Sequence, residues 1–172
     1  MTDTIETLAQ RLSALEAREE IRELKARYLR ACDLKDAAEL RDTLMPDGAL
    51  IAYEGFPPFA DRESFIAVFE QMACVSGVHD MHHAMNAVVE LTGPDEARGK
   101  WSLHFKSVIV AQKTIITMGV EYEDRYVRKD GRWWIAETRT TRPLCLIEQV
   151  GPEGQPTYVA LGEAPAAYGE QG

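Results

Sequence analysis

The chain has 172 residues, of which 45% are hydrophobic and 27% are charged. This length and composition are typical of one globular domain and exclude a disordered or fibrous protein. The formal net charge of -9 argues against nucleic acid as a partner, because binding to a phosphate backbone needs clustered Lys and Arg.

The sequence also argues against a membrane partner and against a disulfide framework. Met1 to Gln10 contains no basic stretch followed by an apolar run, and no apolar segment approaches the ~20 residues that cross a bilayer. We therefore expect a cytoplasmic protein. Cys32, Cys74 and Cys145 are scattered and lack C-x-x-C spacing, which favours reduced structural cysteines over disulfides or a zinc site.

The first part of the chain has helical periodicity. Apolar residues recur at three- and four-residue steps from Ile5 to Lys35, which predicts helix. The phase of the repeat slips between Leu15 and Ile21. Two helices and one bent helix therefore fit this segment equally well.

Three shorter elements are predicted next. Asp36 is suited to cap a short helix that runs through Met45, where the following Pro46 ends it. A strand should follow from Ala49 to Glu54, and a helix from Asp61 to about Cys74.

The remainder of the chain is rich in β-forming residues. The predicted strands are Met85 to Leu91, Ala97 to Val110, Thr114 to Val127 and Trp133 to Thr140. Helices followed by successive hairpins predict an α+β fold, with the helices packed on one face of a mostly antiparallel sheet. We assign residues 1–142 to this domain and expect residues 143–172 to form a mostly irregular tail.

Three of the four histidines, His79, His82 and His83, lie close together at the entry to the first long strand. Because strand side chains alternate between faces, His82 and Asn86 should point to one face and His83 to the other. A metal site would need a third convergent donor that this spacing does not supply. We therefore predict no metal.

His104, Tyr28 and Asp33 have two readings each. His104 lies in an alternating strand and belongs either to a solvated face or to a pocket wall; the pairing register that would bring it near His82 cannot be read from the sequence. Tyr28 and Asp33 are five residues apart, which turns them about 140° around a helix. They are either a core residue and a helix-end residue, or the two flanks of a concave site.

Four segments in this order resemble the SnoaL-like proteins of the nuclear transport factor 2-like superfamily. They are a helix with an aromatic residue five positions before an Asp, a Pro-Asp turn, an H-x-x-x-N strand and a closing hairpin: Glu20 to Asp36, Met45 to Gly48, His82 to Asn86, and Tyr126 to Trp134. The pattern is most similar to the branch of scytalone dehydratase, bile-acid dehydratase and lindane dehydrochlorinase. The resemblance implies a cone-shaped α+β barrel with a pocket between the helices and a curved sheet.

The resemblance also implies site residues and an elimination that needs no cofactor. His82 matches the base and Asp33 its partner; His82 is preferred over His83 because it keeps the four-residue step to Asn86. The further residues implied are Tyr28 as the group that polarises the substrate, His104 as a second catalytic histidine, and Tyr53 and Asn86 as substrate-binding residues.

The leading functional hypothesis is a cofactor-independent lyase that dehydrates a hydrophobic cyclic hydroxy-carbonyl compound. An isomerase or hydrolase using the same pocket is the first alternative. A non-catalytic domain for small-ligand binding or assembly is the second, and in it His82 and Asp33 would only satisfy one another in the core. The resemblance further implies a homodimer or homotrimer.

Overall fold

The computed structural model describes residues 4–166 and confirms the α+β fold. Three helices pack against a curved, mostly antiparallel sheet of six strands. The helices are α1 (Ile5–Leu34), α2 (Ala37–Thr43) and α3 (Arg62–Met72), and the strands are β1 (Leu50–Tyr53), β2 (Val78–Leu91), β3 (Glu96–Ile109), β4 (Thr114–Lys129), β5 (Arg132–Val150) and β6 (Pro156–Gly162).

The first helical segment is one continuous helix of 30 residues. It begins at Thr4, whose side chain accepts a hydrogen bond from the backbone N–H of Thr7. It ends at Lys35, which adopts a left-handed conformation with φ of 59° and donates its backbone N–H to the last carbonyls of the helix. This end point leaves Asp33 on the final turn of α1.

The two short helices begin at aspartates. The side chain of Asp36 accepts from Glu39 N at 2.9 Å, and that of Asp61 accepts from Ser64 N at 2.8 Å. The predicted cap at Asp36 is therefore confirmed.

The sheet has the order β1-β5-β4-β3-β2, with β6 paired to β5. Only the pairing of β1 with β5 is parallel among the named strands. β2, β3 and β4 form a meander of long strands, and the helices cover its concave face. Residues from both layers form the core, among them Ile21 and Tyr28 on α1 and Tyr126 and Ile135 on the sheet.

Two predicted strand boundaries differ from the structure. β2 begins at Val78 rather than Met85, so His79, His82 and His83 lie within the strand and not before it. The prediction that the chain is mostly irregular from Pro143 is wrong, since β5 continues to Val150 and β6 follows. Pro143 is tolerated because it lies where the β4–β5 register shifts, and proline in a sheet is confined to such bulges and to edges.

Parts of two sequence predictions lie outside the described residues. They concern residues 1–3 of the N-terminal segment and residues 167–172 of the tail. Within residues 4–166 no helix is long and apolar enough to cross a membrane. The cytoplasmic location stays a prediction.

A fully buried ion pair joins α1 to the sheet. Lys25 Nζ lies 2.8 Å from Asp124 Oδ2, and both side chains are 0% exposed. Asp124 Oδ2 also accepts a hydrogen bond from the Tyr126 hydroxyl at 2.7 Å, and Lys25 Nζ lies 3.6 Å from the centroid of the Tyr122 ring. Burial lowers the pKa of Lys25, and the neighbouring carboxylate of Asp124 opposes that effect.

This ion pair generates a stability prediction. Lys25→Met should lower the free energy of unfolding by about 3–5 kcal/mol, because it leaves the Asp124 charge buried and uncompensated. The double variant Lys25→Met/Asp124→Asn should recover part of that loss, since it buries no unpaired charge. Urea unfolding followed by circular dichroism measures both values. A double variant that is less stable than Lys25→Met would contradict this account.

Candidate active site

An apolar cavity of about 240 Å³ lies between the helices and the concave face of the sheet. That volume corresponds to roughly eight water molecules, enough for a small ring compound. Its wall is mostly aromatic and aliphatic, and includes Phe56, Phe59, Phe65, Phe69, Phe105 and Ile116. Apolar cavities with a few polar groups are the usual sites for small ligands.

His82 lines this cavity, and Asp33 contacts it from outside the cavity wall. His82 lies on β2, on the face that points towards the helices, and Asp33 lies on the last turn of α1. His82 Nδ1 is 2.7 Å from Asp33 Oδ1, and the ring of His82 packs against Phe105 with 4.8 Å between centroids. The side chains of His82 and Asp33 are 14% and 28% exposed.

The hydrogen bond fixes the chemistry of the imidazole. Burial by itself raises the pKa of Asp33, but the hydrogen bond and charge of His82 outweigh it, so this pKa lies below its ordinary value. An ionised carboxylate only accepts hydrogen bonds, so His82 Nδ1 carries the proton and donates it. Nε2 is then the basic nitrogen of the neutral ring, and His82 lines the cavity.

Three tyrosines form another polar part of the cavity wall. The hydroxyls of Tyr28 on α1 and Tyr53 on β1 are hydrogen-bonded to each other, and the ring of Tyr53 lies edge-on to that of Tyr122 on β4 at 6.0 Å. Burial raises the pKa of all three hydroxyls well above the ordinary value. The three tyrosine hydroxyls therefore stay protonated at neutral pH and are able to donate hydrogen bonds.

The remaining histidines predicted from sequence lie outside the cavity. His83 is exposed and points to the opposite face of β2 from His82. His104 is exposed and pairs directly with His83 across the β2–β3 ladder, so its side chain is on the outer face. The placement of His104 in a pocket wall is therefore wrong; the inward positions of β3 nearby belong to Phe105 and Ser107.

Asn86 also lies on the outer side, contrary to its predicted alignment with His82. The register of β2 against β3 shifts between Met85 and Val88, and Asn86 has a φ of 54°. This bulge interrupts the alternation of faces. The Asn86 amide donates to Ser102 Oγ at 3.4 Å, away from the cavity.

Three polar residues of the cavity wall were missed by sequence reasoning. They are Asp80, Ser107 and Tyr122. Asp80 could have been found, because it lies two residues before His82 and so shares its face. Ser107 and Tyr122 depend on the register of β3 and β4, which the sequence does not reveal.

The donor groups of the site do not form a metal centre. Across residues 4–166, no group of three or more His, Cys, Asp or Glu side chains is placed to hold a metal ion.

Comparison with known proteins assigns the family. The model of the SnoaL-like domain matches residues 13–139, which is most of the chain. The chain belongs to the SnoaL-like domain family. The resemblance found in the sequence is thereby confirmed.

Solved structures share this fold at low sequence identity. Hexachlorocyclohexane dehydrochlorinase LinA-type3 from Novosphingobium barchaimii is 18% identical, with a TM-score of 0.72 over 90% of this chain and 98% of that one. A protein from Novosphingobium aromaticivorans provisionally named a scytalone dehydratase is 16% identical, with a TM-score of 0.71 over 77% and 88% of the two chains. An NTF2-like protein with a cystatin-like fold from the same organism is 24% identical, with a TM-score of 0.68 over 81% and 90%.

The lowered pKa of Asp33 in this SnoaL-like domain predicts how stability depends on pH. A carboxylate whose pKa is lower in the folded state than in the unfolded chain, about 3.9, stabilises the fold above that pH. The contribution disappears as the pH falls through the folded-state value. The unfolding free energy lost in Asp33→Asn should therefore be larger near pH 7 than near pH 2.5.

Chemical unfolding of both proteins at the two pH values tests this prediction. Glu20→Gln, which neutralises an exposed carboxylate on α1, is the control and should show a much smaller pH-dependent difference. An Asp33→Asn difference that stays constant or grows in acid would show that the hydrogen bond to His82 does not lower this pKa.

Proposed function

We propose that this SnoaL-like protein is a cofactor-independent lyase that dehydrates a small, hydrophobic, cyclic hydroxy-carbonyl compound. The observation that carries the proposal is the position of His82: its Nδ1 is held by Asp33 at 2.7 Å, while its ring lines an apolar cavity. A histidine with only a structural role has no need of an open cavity beside its basic nitrogen.

The first step is removal of a proton from the carbon next to the substrate carbonyl. His82 Nε2 accepts this proton, and Asp33 stabilises the imidazolium that forms, as an orienting carboxylate does in other histidine-based sites. The electron pair of the C–H bond moves into an enolate. The hydrogen-bonded pair of Tyr28 and Tyr53 keeps one hydroxyl proton free, and this neutral donor binds the enolate oxygen, the atom where negative charge develops.

The second step is loss of the hydroxyl group. The enolate electron pair re-forms the carbonyl and creates a carbon–carbon double bond, while the C–O bond breaks with its electrons on oxygen. His82 Nε2–H returns the proton to this oxygen, so that water and an unsaturated ketone are the products. Atoms and charges balance without an oxidant or a reductant.

Two neighbours in fold lend support to an elimination. One carries the name of a dehydrochlorinase and the other the provisional name of a scytalone dehydratase, and both reactions remove a small molecule from a carbon skeleton. The low identity limits this likeness to the fold. The arrangement of His82, Asp33 and the tyrosines in this chain is the stronger support.

A direct assay uses 3-hydroxycyclohexanone and follows the absorbance of the conjugated enone. His82→Asn should lower kcat/KM by roughly 10²–10⁴-fold, because the general base is lost. His83→Asn is the matched control: it changes the adjacent histidine, which faces outwards, and should keep the wild-type rate.

Two outcomes would count against the lyase. Equal effects of His82→Asn and His83→Asn would remove His82 from the reaction. Binding of cyclic ketones by the wild-type protein, without elimination from any hydroxy-ketone in a broad set, would favour the non-catalytic ligand-binding domain.

We also propose that the protein is a homodimer, with the N-terminal part of α1 as its contact. Ile5, Leu8, Leu12 and Leu15 are 87%, 51%, 56% and 63% exposed, and their spacing of three, four and three residues is that of a heptad seam. In the first heptad, Ile5 at the first core position and Leu8 at the second follow the order that favours two strands. A second copy of this helix has the same spacing and would cover the stripe.

Leu12→Glu tests this assembly, since it places a charge in the centre of the seam. We expect the mass measured by light scattering to fall from dimer to monomer. Ser13→Glu, on the exposed flank of the same helix, should leave the dimer intact. A monomeric wild-type protein, or a Leu12→Glu variant of unchanged mass, would exclude this interface.

A further inference from the structure

The cavity wall contains a second polar patch beside His82, formed by Asp80 on β2 and Ser107 on β3. The two residues are direct partners in the antiparallel ladder, so their side chains lie next to each other on the same face. Both are shielded from bulk solvent, since Ser107 is 2% exposed and the Asp80 side chain 8% exposed.

The hydroxyl of Ser107 is available to a ligand. Among residues 4–166, no hydrogen bond to Ser107 Oγ is made by another group of the chain. Its oxygen is not one of the fully enclosed side-chain atoms that lack a partner in the described chain, so a ligand can reach it from the cavity that Ser107 lines. A polar atom of a bound ligand would supply the missing partner.

Asp80 is held in place from behind the cavity wall. Lys35, the residue that ends α1, forms an ion pair with Asp80 Oδ2. Lys35 is not part of the cavity wall, so a ligand meets the carboxylate of Asp80 and not the ammonium group. The ion pair also leaves Asp80 Oδ1 as an acceptor.

The patch lies at a useful distance from the proposed base. Asp80 and His82 are two residues apart on the same face of β2, which separates their backbones by about 7 Å. Side chains that converge from these positions can reach neighbouring atoms of one small ring. A proton held by His82 and a hydroxyl held by Asp80 and Ser107 would then belong to adjacent carbons.

We propose that Asp80 and Ser107 bind the leaving hydroxyl of the substrate and restrict the site to alcohols as opposed to alkyl halides. This inference rests on the proposed lyase and deepens it. Ser107 donates its hydroxyl proton to the substrate oxygen, and Asp80 accepts the hydrogen of the substrate hydroxyl. The remaining lone pair of that oxygen receives the proton from His82 Nε2, and the C–O bond breaks to release water.

A halide does not satisfy this patch. Carbon-bound chlorine has no hydrogen to donate to the Asp80 carboxylate, which as an ionised group can only accept hydrogen bonds. A chlorinated ligand would thus bury Asp80 Oδ1 without a hydrogen-bond partner. The free energy lost by leaving this acceptor unpaired weakens binding of the chloride relative to the alcohol. The pair therefore selects for the donor that only an alcohol provides.

The test uses a matched pair of ligands that cannot undergo the reaction, 2-decalol and 2-chlorodecalin. Their dissociation constants are measured by NMR titration with the full chain. Wild-type protein should bind the alcohol at least about tenfold more tightly than the chloride. Ser107→Ala should reduce this preference roughly three- to tenfold, and Asp80→Asn should reduce it as well.

Ser102→Ala is the matched control, because Ser102 lies on the same strand with its hydroxyl bonded to Glu121 on the outer face. It should keep the wild-type preference. Ser107→Ala removes one oxygen atom only, so it remains informative if Asp80→Asn does not fold. Circular dichroism of each variant identifies that case.

The results separate this proposal from the proposed reaction. An alcohol preference that depends on Ser107 supports the patch even if no hydroxy-ketone is dehydrated. The proposal is overturned if wild-type protein shows no preference for 2-decalol, including the case in which neither ligand binds, or if the preference survives in Ser107→Ala. The dehydration assay with His82→Asn then decides the lyase independently.

Discussion

The hydrogen bond between His82 and Asp33 ties together the two layers of the molecule at the point where chemistry is possible. It links Asp33 on the last turn of α1 to β2. The hydrogen bond therefore depends on α1 ending directly after this residue, at Leu34. Lys35 fixes that end through its left-handed conformation, and it also reaches Asp80, two residues before His82. One helix terminus thus positions two inward side chains of β2.

The sequence predicts much of this arrangement because the governing patterns are local. Alternation along a strand separates His82 from His83, and a five-residue step on a helix turns Tyr28 and Asp33 to different sides. That rotation places Tyr28 in the cavity wall and Asp33 against β2. Their spacing is therefore compatible with both interpretations of the pair, as core and helix-end residues and as residues that flank a concave site. The caps at Asp36 and Asp61 follow from the same local rules.

Other features depend on contacts that are distant in the chain. The bulge at Asn86 interrupts the alternation of faces along β2, and the register shift around Pro143 lets β5 continue past a proline. Neither feature has a clear signal in the composition of its segment. Ser107 enters the cavity only because β3 pairs with β2 in one particular register. A shift of one residue would turn the even-numbered positions of β3, His104 among them, towards the cavity and Ser107 away from it.

The buried ammonium group of Lys25 contacts two tyrosines of the cavity wall. Lys25 lies over the ring of Tyr122 and near that of Tyr28, at 3.6 and 4.9 Å from their centroids. Its ammonium group is paired with Asp124, and the contact with the tyrosine faces adds a cation–π interaction. The buried pair therefore constrains the orientation of the rings whose hydroxyls face a ligand.

The arrangement of polar groups in the cavity also bears on the stereochemistry of the proposed elimination. Within the described chain His82 is the one imidazole that lines the cavity, so the proposed reaction uses the same Nε2 to remove the proton and to return it to the hydroxyl. Asp80 and Ser107 lie on the same wall of the sheet as His82, whereas Tyr28 and Tyr53 approach from α1 and β1. A ring held between these groups presents its hydrogen and its hydroxyl to one wall, and both must leave from the same face. Syn elimination is therefore the course that this geometry favours, because an anti course would need a second acid on the helix side of the cavity, where Tyr28, Phe65 and Phe69 lie.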